Sequence, residues 1–294
     1  MSIPEAQLET WSHQGSTAQS SATYATIKRA LEAADTGYAG KNCEIFLQGS
    51  YVNDTNIYAE SDVDVVICLN DLYHFDTSAL NQYELAAFNG QFILAPYQYD
   101  EFKAHVIEAL RRSFGADATA GNKAIKIRAN GNRRSADLVV AAEFHRYYSG
   151  RVGLPYERGI CFFNSNGVRI ANYPKQHSTN CTSKHQATNS WFKPMVRILK
   201  NTRSKLVGDG KISGSDAPSY FLEGLLYNVP NDRFGRSYSN SFCAAMTWIV
   251  EAQRNDFLCA NEQHYLVRDG FSECWPTANC TKFINAAVAL WNQW

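Results

Sequence analysis

Two carboxylates stand two residues apart inside an apolar run, Asp62-Val63-Asp64-Val65-Val66-Ile67. On a strand such residues share a face, so Asp62 and Asp64 point one way while Val63 and Val65 enter a core. Carboxylates held side by side repel each other unless a cation sits between them. Hard oxygen ligands of this kind suit Mg2+, which is completed by water and substrate phosphates, and Mn2+ accepts the same donors. Upstream, a second apolar run closes on Gly49-Ser50. Gly49 allows close backbone approach, and the N–H groups after it, with the Ser50 hydroxyl, can hold phosphate oxygens. Between the two runs, Asn53, Asp54, Thr55 and Asn56 leave room for one short helical segment. A bare Asp-x-Asp is often only a surface pair beside a hairpin. The whole stretch 46–69 says more: a strand, a phosphate-sized turn, a short helix, then a strand bearing two acids. Together these read as a site for a metal-bound triphosphate.

The same residues resemble a known signature. Gly49-Ser50, an eleven-residue gap and Asp62-Val63-Asp64 look like the nucleotidyltransferase superfamily of DNA polymerase beta type. Within it, QGSY…T…SDVDVV is most similar to the bacterial cyclic GMP-AMP synthase/DncV-like nucleotidyltransferases (CD-NTases), which are related to oligoadenylate synthase. The resemblance implies an α/β (α+β) fold: a polymerase-beta-like catalytic lobe with a mixed sheet, and a helical C-terminal lobe that closes over the nucleotide. It also implies an activity. NTPs are joined, with release of pyrophosphate, into a cyclic di- or trinucleotide second messenger, which activates a separate effector protein in anti-phage (CBASS-type) defence. Many such enzymes stay silent until an activating protein or another cue arrives.

A two-metal site needs a third acid. Residues 123–129 and 136–142 alternate as strands about the turn NGNRRS and make a hairpin, and Asp137 opens its second strand. Alone, Asp137 reads as a strand-end Asp bonding to turn amides; beside the first motif, DLVVA matches the family's way of presenting its third metal ligand. The resemblance carries three residues more. Lys193, Arg197 and Lys200 fall at i, i+4 and i+7 of a helical stretch, by default a solvated face. In the family, a helix containing "LK" followed by "PSY" at the next helix start supplies a triphosphate lysine, a serine and an aromatic that stacks on the base. The matching residues here are Lys200, Ser219 and Tyr220. Their chemistry agrees, since an ammonium is a compact phosphate partner and a tyrosine face accepts any base.

The elements that must position these groups follow from the pattern. Residues 4–36 look largely helical, closed by Gly37 and Gly40, and suit a spine packed across both lobes. Strands are expected at 43–50 and 62–69, a helical piece near 79–88 within a mixed stretch 76–95, and a clearer helix at 99–114. Runs 160–163 and 168–171 form another hairpin, after which Asn172-Tyr173-Pro174 resembles the family's close of the catalytic lobe. The polar stretch 175–189 reads as a connector. Helices are expected at 190–206, 217–228, 242–255 and 282–294, the last with two tryptophans expected in the core. The lobes are then 1–175 and 176–294.

Composition narrows the partners. Formal net charge is zero, so no global field draws in a long polyanion, and no nucleic-acid template is expected. The N-terminal residues lack a basic start and an apolar core, and no run is apolar enough to cross a bilayer. Eight cysteines are scattered without a CxxC pair, which points to reduced thiols, several of them buried, in a cytoplasmic protein. His177-x3-Cys181-x3-His185 has metal-ligand spacing but no convincing fourth ligand. Two rivals remain: a template-independent transferase acting on RNA or a small molecule, and a non-catalytic nucleotide-binding regulator. Neutral charge opposes the RNA substrate, and the intact Asp62, Asp64 and Asp137 set opposes the regulator.

Overall fold

The computed structural model describes residues 2–15, 17–58, 62–90, 94–150 and 153–294. Residues 59–61 of the motif stretch and 91–93 of the mixed stretch lie outside them. The chain forms two compact units, one from residues 17–48 and 62–174, the other from 1–16, 49–61 and 175–294. One boundary falls after Pro174, close to the expected 175/176, but the first sixteen residues and the turn at Gly49-Ser50 group with the C-terminal half. The expected leading helix is two helices, α1 (Glu5–Ser12) and α2 (Ala18–Leu31), and they fall in different units. Gly15 lies in the break. Its N–H donates to the Asn56 carbonyl at 3.1 Å, and a Cβ there would meet the Ile57 backbone at 2.9 Å.

The first unit is built on a mixed sheet of β1 (Cys43–Leu47), β2 (Val63–Asp76), β3 (Ala118–Ala120), β4 (Ile125–Ile127), β5 (Ala136–Tyr147), β6 (Tyr156–Phe163) and β7 (Arg169–Asn172). The order is β1-β2-β5-β4-β3, with β6 on β5 and β7 on β6. Only β2 and β5 pair in parallel; the other described pairs are antiparallel. Both expected hairpins are present, with Ile127 opposite Ala136 and Phe163 opposite Arg169. Strand β2 runs past its expected end at Leu69. The register shifts there, and pairing resumes with Tyr73 opposite Glu143, so Asn70, Asp71 and Leu72 are absorbed in an irregularity rather than ending the strand.

Parallel strands need a long crossover, and here it holds α3 (Gln82–Asn89) and α4 (Tyr99–Phe114). Asn81 and Glu84 make a capping box that starts α3. Helix α4 buries Phe102, Val106, Ala109 and Leu110, one stripe at helical spacing, and ends at Gly115 with φ 57°. The Tyr99 hydroxyl donates to the Val140 carbonyl at 2.8 Å, which fastens α4 to β5. The core of this unit lies between that stripe and the apolar sheet face of Val63, Val65, Ile125, Ile127 and Leu138.

The second unit is helical. The stretch expected as a polar connector is α5 (Pro174–Ala187), whose buried residues are His177 and Cys181. They lie one turn apart, so the helix seats on a polar pair and shows no apolar stripe. Then come α6 (Phe192–Gly208), α7 (Ser219–Tyr227), α8 (Tyr238–Glu251) and α9 (Thr277–Gln293). Helix α6 starts later than expected because Asn189 and Ser190 take φ of 48° and 69°, a left-handed reversal before the helix can begin. Phe192, Val196, Leu199, Leu222, Ile249 and Phe283 are in its core. Trp291 stacks on Phe242 at 4.8 Å and Trp294 meets Trp11 edge-on at 5.5 Å; both are half-buried and pack against the core from its edge rather than within it. All eight cysteines are unpaired and six are buried.

Candidate active site

The parallel register sets Asp64 directly opposite Asp137, on strands ~4.8 Å apart. One step back Val63 faces Ala136, so Asp62 comes beside Ser135. The Ser135 hydroxyl donates to Asp62 Oδ1, and the Ser135 carbonyl accepts from the Val63 N–H at 3.0 Å. On the other edge of β5, Lys126 lies opposite Asp137. Strand alternation therefore gives a polar row of Lys126, Asp137 and Asp64 on one face, while their neighbours Ile125, Leu138 and Val65 are buried on the other. Asp62 is exposed; Asp64 and Asp137 are half-buried. Burial pushes the Asp137 carboxyl above its ordinary range; Lys126 draws it down and Asp62 pushes it further up. Three carboxylates gathered at the ends of adjacent strands fit a hard divalent cation. Ser135 and Lys126 were not singled out from the sequence. Ser135 precedes Asp137 by the interval at which Asp62 precedes Asp64, a signal that becomes readable only with the β2–β5 register known.

In the helical unit Gly49 takes φ 72°, the left-handed conformation that glycine tolerates best. No short helix follows it among the described residues: 49–54 is a series of turns. The Asn53 N–H reaches the Gly49 carbonyl at 3.3 Å and the Thr55 N–H the Ser50 carbonyl at 2.9 Å. Asp54, at φ 55°, turns the chain out of any helical path. Gly49 is exposed and Ser50 half-buried, whereas Asn53, Thr55 and Asn56 are buried.

The basic residues of α6 are not a solvated face. Lys193 Nζ pairs with Asp54 Oδ2 at 2.9 Å, and Arg197 donates to the carbonyls of Asp54 and Ser12. Lys200 is completely buried, its Nζ 3.0 Å from Glu223 Oε1 and 3.3 Å from Thr55 Oγ1. All three grip the turn, whose irregular backbone and side chains need partners. Ser219 opens α7, half-buried. Beside it the Tyr220 ring stacks on His177 at 4.9 Å, and the Tyr220 hydroxyl accepts from Asn261 Nδ2 at 2.9 Å. Burial works to raise the Glu223 carboxyl, but Lys200, His177 and Thr55 together hold it well below the usual range. His177, Cys181 and Glu223 offer ligand atoms within 4.8 Å of one another. Yet Lys200 already neutralises Glu223, and burial pushes the Cys181 thiol up, against ionisation. His185 is engaged elsewhere, its Nδ1 accepting from the Lys193 N–H at 3.3 Å.

A sequence profile described as the cGAS/DncV-like nucleotidyltransferase C-terminal helical domain matches residues 179–292. The chain is 36% identical over 297 residues to the cyclic UMP-AMP synthase of Rhodothermus marinus, covering 100% of this chain and 99% of that one. The chain belongs to the cGAS/DncV-like nucleotidyltransferase family. Among solved structures, this nucleotidyltransferase is similar to Rhodothermus marinus CdnE c-UMP-AMP synthase with Apcpp and Upnpp: TM-score 0.88, 34% identity, 99% of this chain and 97% of that one. It is also similar to Elizabethkingia meningoseptica CdnE cyclic dinucleotide synthase with GTP and Apcpp: TM-score 0.79, 30% identity, 99% and 98% coverage. The α+β nucleotidyltransferase fold expected from the motif is the fold of the molecule.

Proposed function

We propose that this chain joins NTPs, with release of pyrophosphate, into a cyclic di- or trinucleotide second messenger for CBASS-type signalling, using Mg2+ or Mn2+. The observation that carries the reading is the opposition of Asp64 and Asp137 in parallel register, with Asp62 just before β2 and near enough to act on the Asp137 carboxyl. It gains support from full-length similarity to a protein named as a cyclic UMP-AMP synthase. Asp62, just before β2, and Asp64 on it would hold the metal ions, Ser135 steadies Asp62, and Asp137 would complete the ligand set from β5. Bound there, divalent ions neutralise the triphosphate and lower the pKa of the attacking ribose hydroxyl. Asp137 is also placed to take the hydroxyl proton. Gly49, Ser50 and Ser219 serve the triphosphate; Lys200, buried on Glu223 and Thr55, serves it through the turn; and Tyr220 offers its face to a base.

A new bond from ribose oxygen to the α-phosphorus forms as the bond to pyrophosphate breaks. Positioning and charge neutralisation supply most of the acceleration. A second round on the linear intermediate closes the ring. No helix among the described residues is long and apolar enough to cross a membrane, and we place the enzyme in the cytoplasm, where NTPs are. Its partners there are the NTPs, an activating protein and, through the product, a separate effector. The test is Asp62→Asn/Asp64→Asn: pyrophosphate release falls at least ~1,000-fold with thermal unfolding retained. Undiminished release in that variant would refute the reading.

A further inference from the structure

One buried carboxylate in the helical unit has more partners than its own helix needs. Glu223, on α7, is 2% exposed. It accepts from the Thr55 hydroxyl, from Asn53 Nδ2 at 3.2 Å and from His177 Nε2 at 2.6 Å, and it pairs with Lys200 at 3.0 Å. Those donors come from three other segments: the turn, α5 and α6. The turn has neither a ladder nor a helix to set its shape among the described residues. Its two backbone bonds between Gly49 and Thr55 are local, so its place against the helices is set by longer-range partners: Asp54 is held by Lys193 and Arg197, Asn56 by Gly15, and the two buried side chains between Ser50 and Asn56, Asn53 and Thr55, both end on Glu223. The same carboxylate holds the His177 ring on which Tyr220 stacks, and Tyr220 stands three residues before Glu223 on α7.

The geometry points to Glu223 as a positioning residue that locks the Gly49–Ser50 turn, and through His177 the Tyr220 ring, into the arrangement that receives an NTP. This rests on the proposed reading that the turn takes the triphosphate. Lys200 supplies the counter-charge that makes a fully buried carboxylate tolerable, and the carboxylate in turn fixes the direction of the ammonium. Glu223 acts through Asn53, Thr55, His177 and Lys200 and touches no reacting atom.

Glu223→Gln leaves Lys200 buried without its counter-charge and is prone to misfold. The decisive variant is therefore Thr55→Val, with Thr55→Ser as its conservative control. Two measurements are made on the full-length protein: hydrogen exchange of residues 49–58, and steady-state pyrophosphate release with melting temperature followed in parallel. Thr55→Val is expected to speed exchange in 49–58 but not in α9, and to raise the NTP KM roughly tenfold, the scale of one lost buried hydrogen bond. It should shift kcat less than KM, and Thr55→Ser should restore both properties. Unchanged exchange in 49–58, or a lowered melting temperature with KM unmoved, overturns the positioning role. The exchange arm needs no turnover: if the wild type released no pyrophosphate, the proposed function would fail while exchange still decided whether Glu223 holds the turn.

Discussion

Asp137 carries the sharpest expectation for a single residue. Its carboxyl is raised by burial, so its contribution to stability is full below the pKa of the unfolded chain and is lost as pH rises through the folded value. At neutral pH, without divalent cations, the ionised group is a liability to the fold. Asp137→Asn should therefore raise the melting temperature of the metal-free protein at pH 7, by about 1–3 °C, while abolishing turnover. Calorimetry at pH 7 and pH 4 checks the sign, since the gain should shrink at the lower pH. A variant less stable than wild type at pH 7 would show that Asp137 is not a strained member of the acid set. The orientation of Asp64 was legible because alternation with the buried Val63 and Val65 leaves it one possible face. The surroundings of Lys200 were not legible: its partner Glu223 lies on another helix, and local charge periodicity alone reads as a solvated face.

Elements were legible where an apolar stripe defines them and obscure where polar groups do the seating. Helix α4 has the bounds expected of it, 99–114, and the structure shows why: Phe102, Val106 and Leu110 form an apolar stripe, with Gly115 behind them. Helix α5 was missed because its buried residues are His177 and Cys181, which no hydrophobic pattern reports. The break between α1 and α2 was hidden in the same way, since a glycine in a helical composition carries no sign of the backbone it must approach. Gly15→Ala tests that approach. Its Cβ would meet the Ile57 backbone, which has no flexible side-chain end to yield. The substitution should cost about 1–3 kcal/mol despite the better helix propensity of alanine, read as a lower urea midpoint. A neutral or stabilising outcome would mean that the contact is not tight.

For the whole molecule, the assignment to a nucleotidyltransferase rested on a short motif whose residues are close in sequence, and the full-length relatives bear it out. The grouping of residues 49–61 with the C-terminal helices was beyond the sequence, because it depends on contacts between segments more than a hundred residues apart, such as Thr55 with Glu223. The most direct test of the account is the product itself. Purified protein is incubated with all four NTPs and Mg2+, or separately Mn2+, and the reaction is read by mass spectrometry after phosphatase treatment. The account predicts a phosphatase-resistant species at the mass of a cyclic di- or trinucleotide, lost in the Asp62→Asn/Asp64→Asn variant. Pyrophosphate release that yields only linear, phosphatase-sensitive products would contradict it.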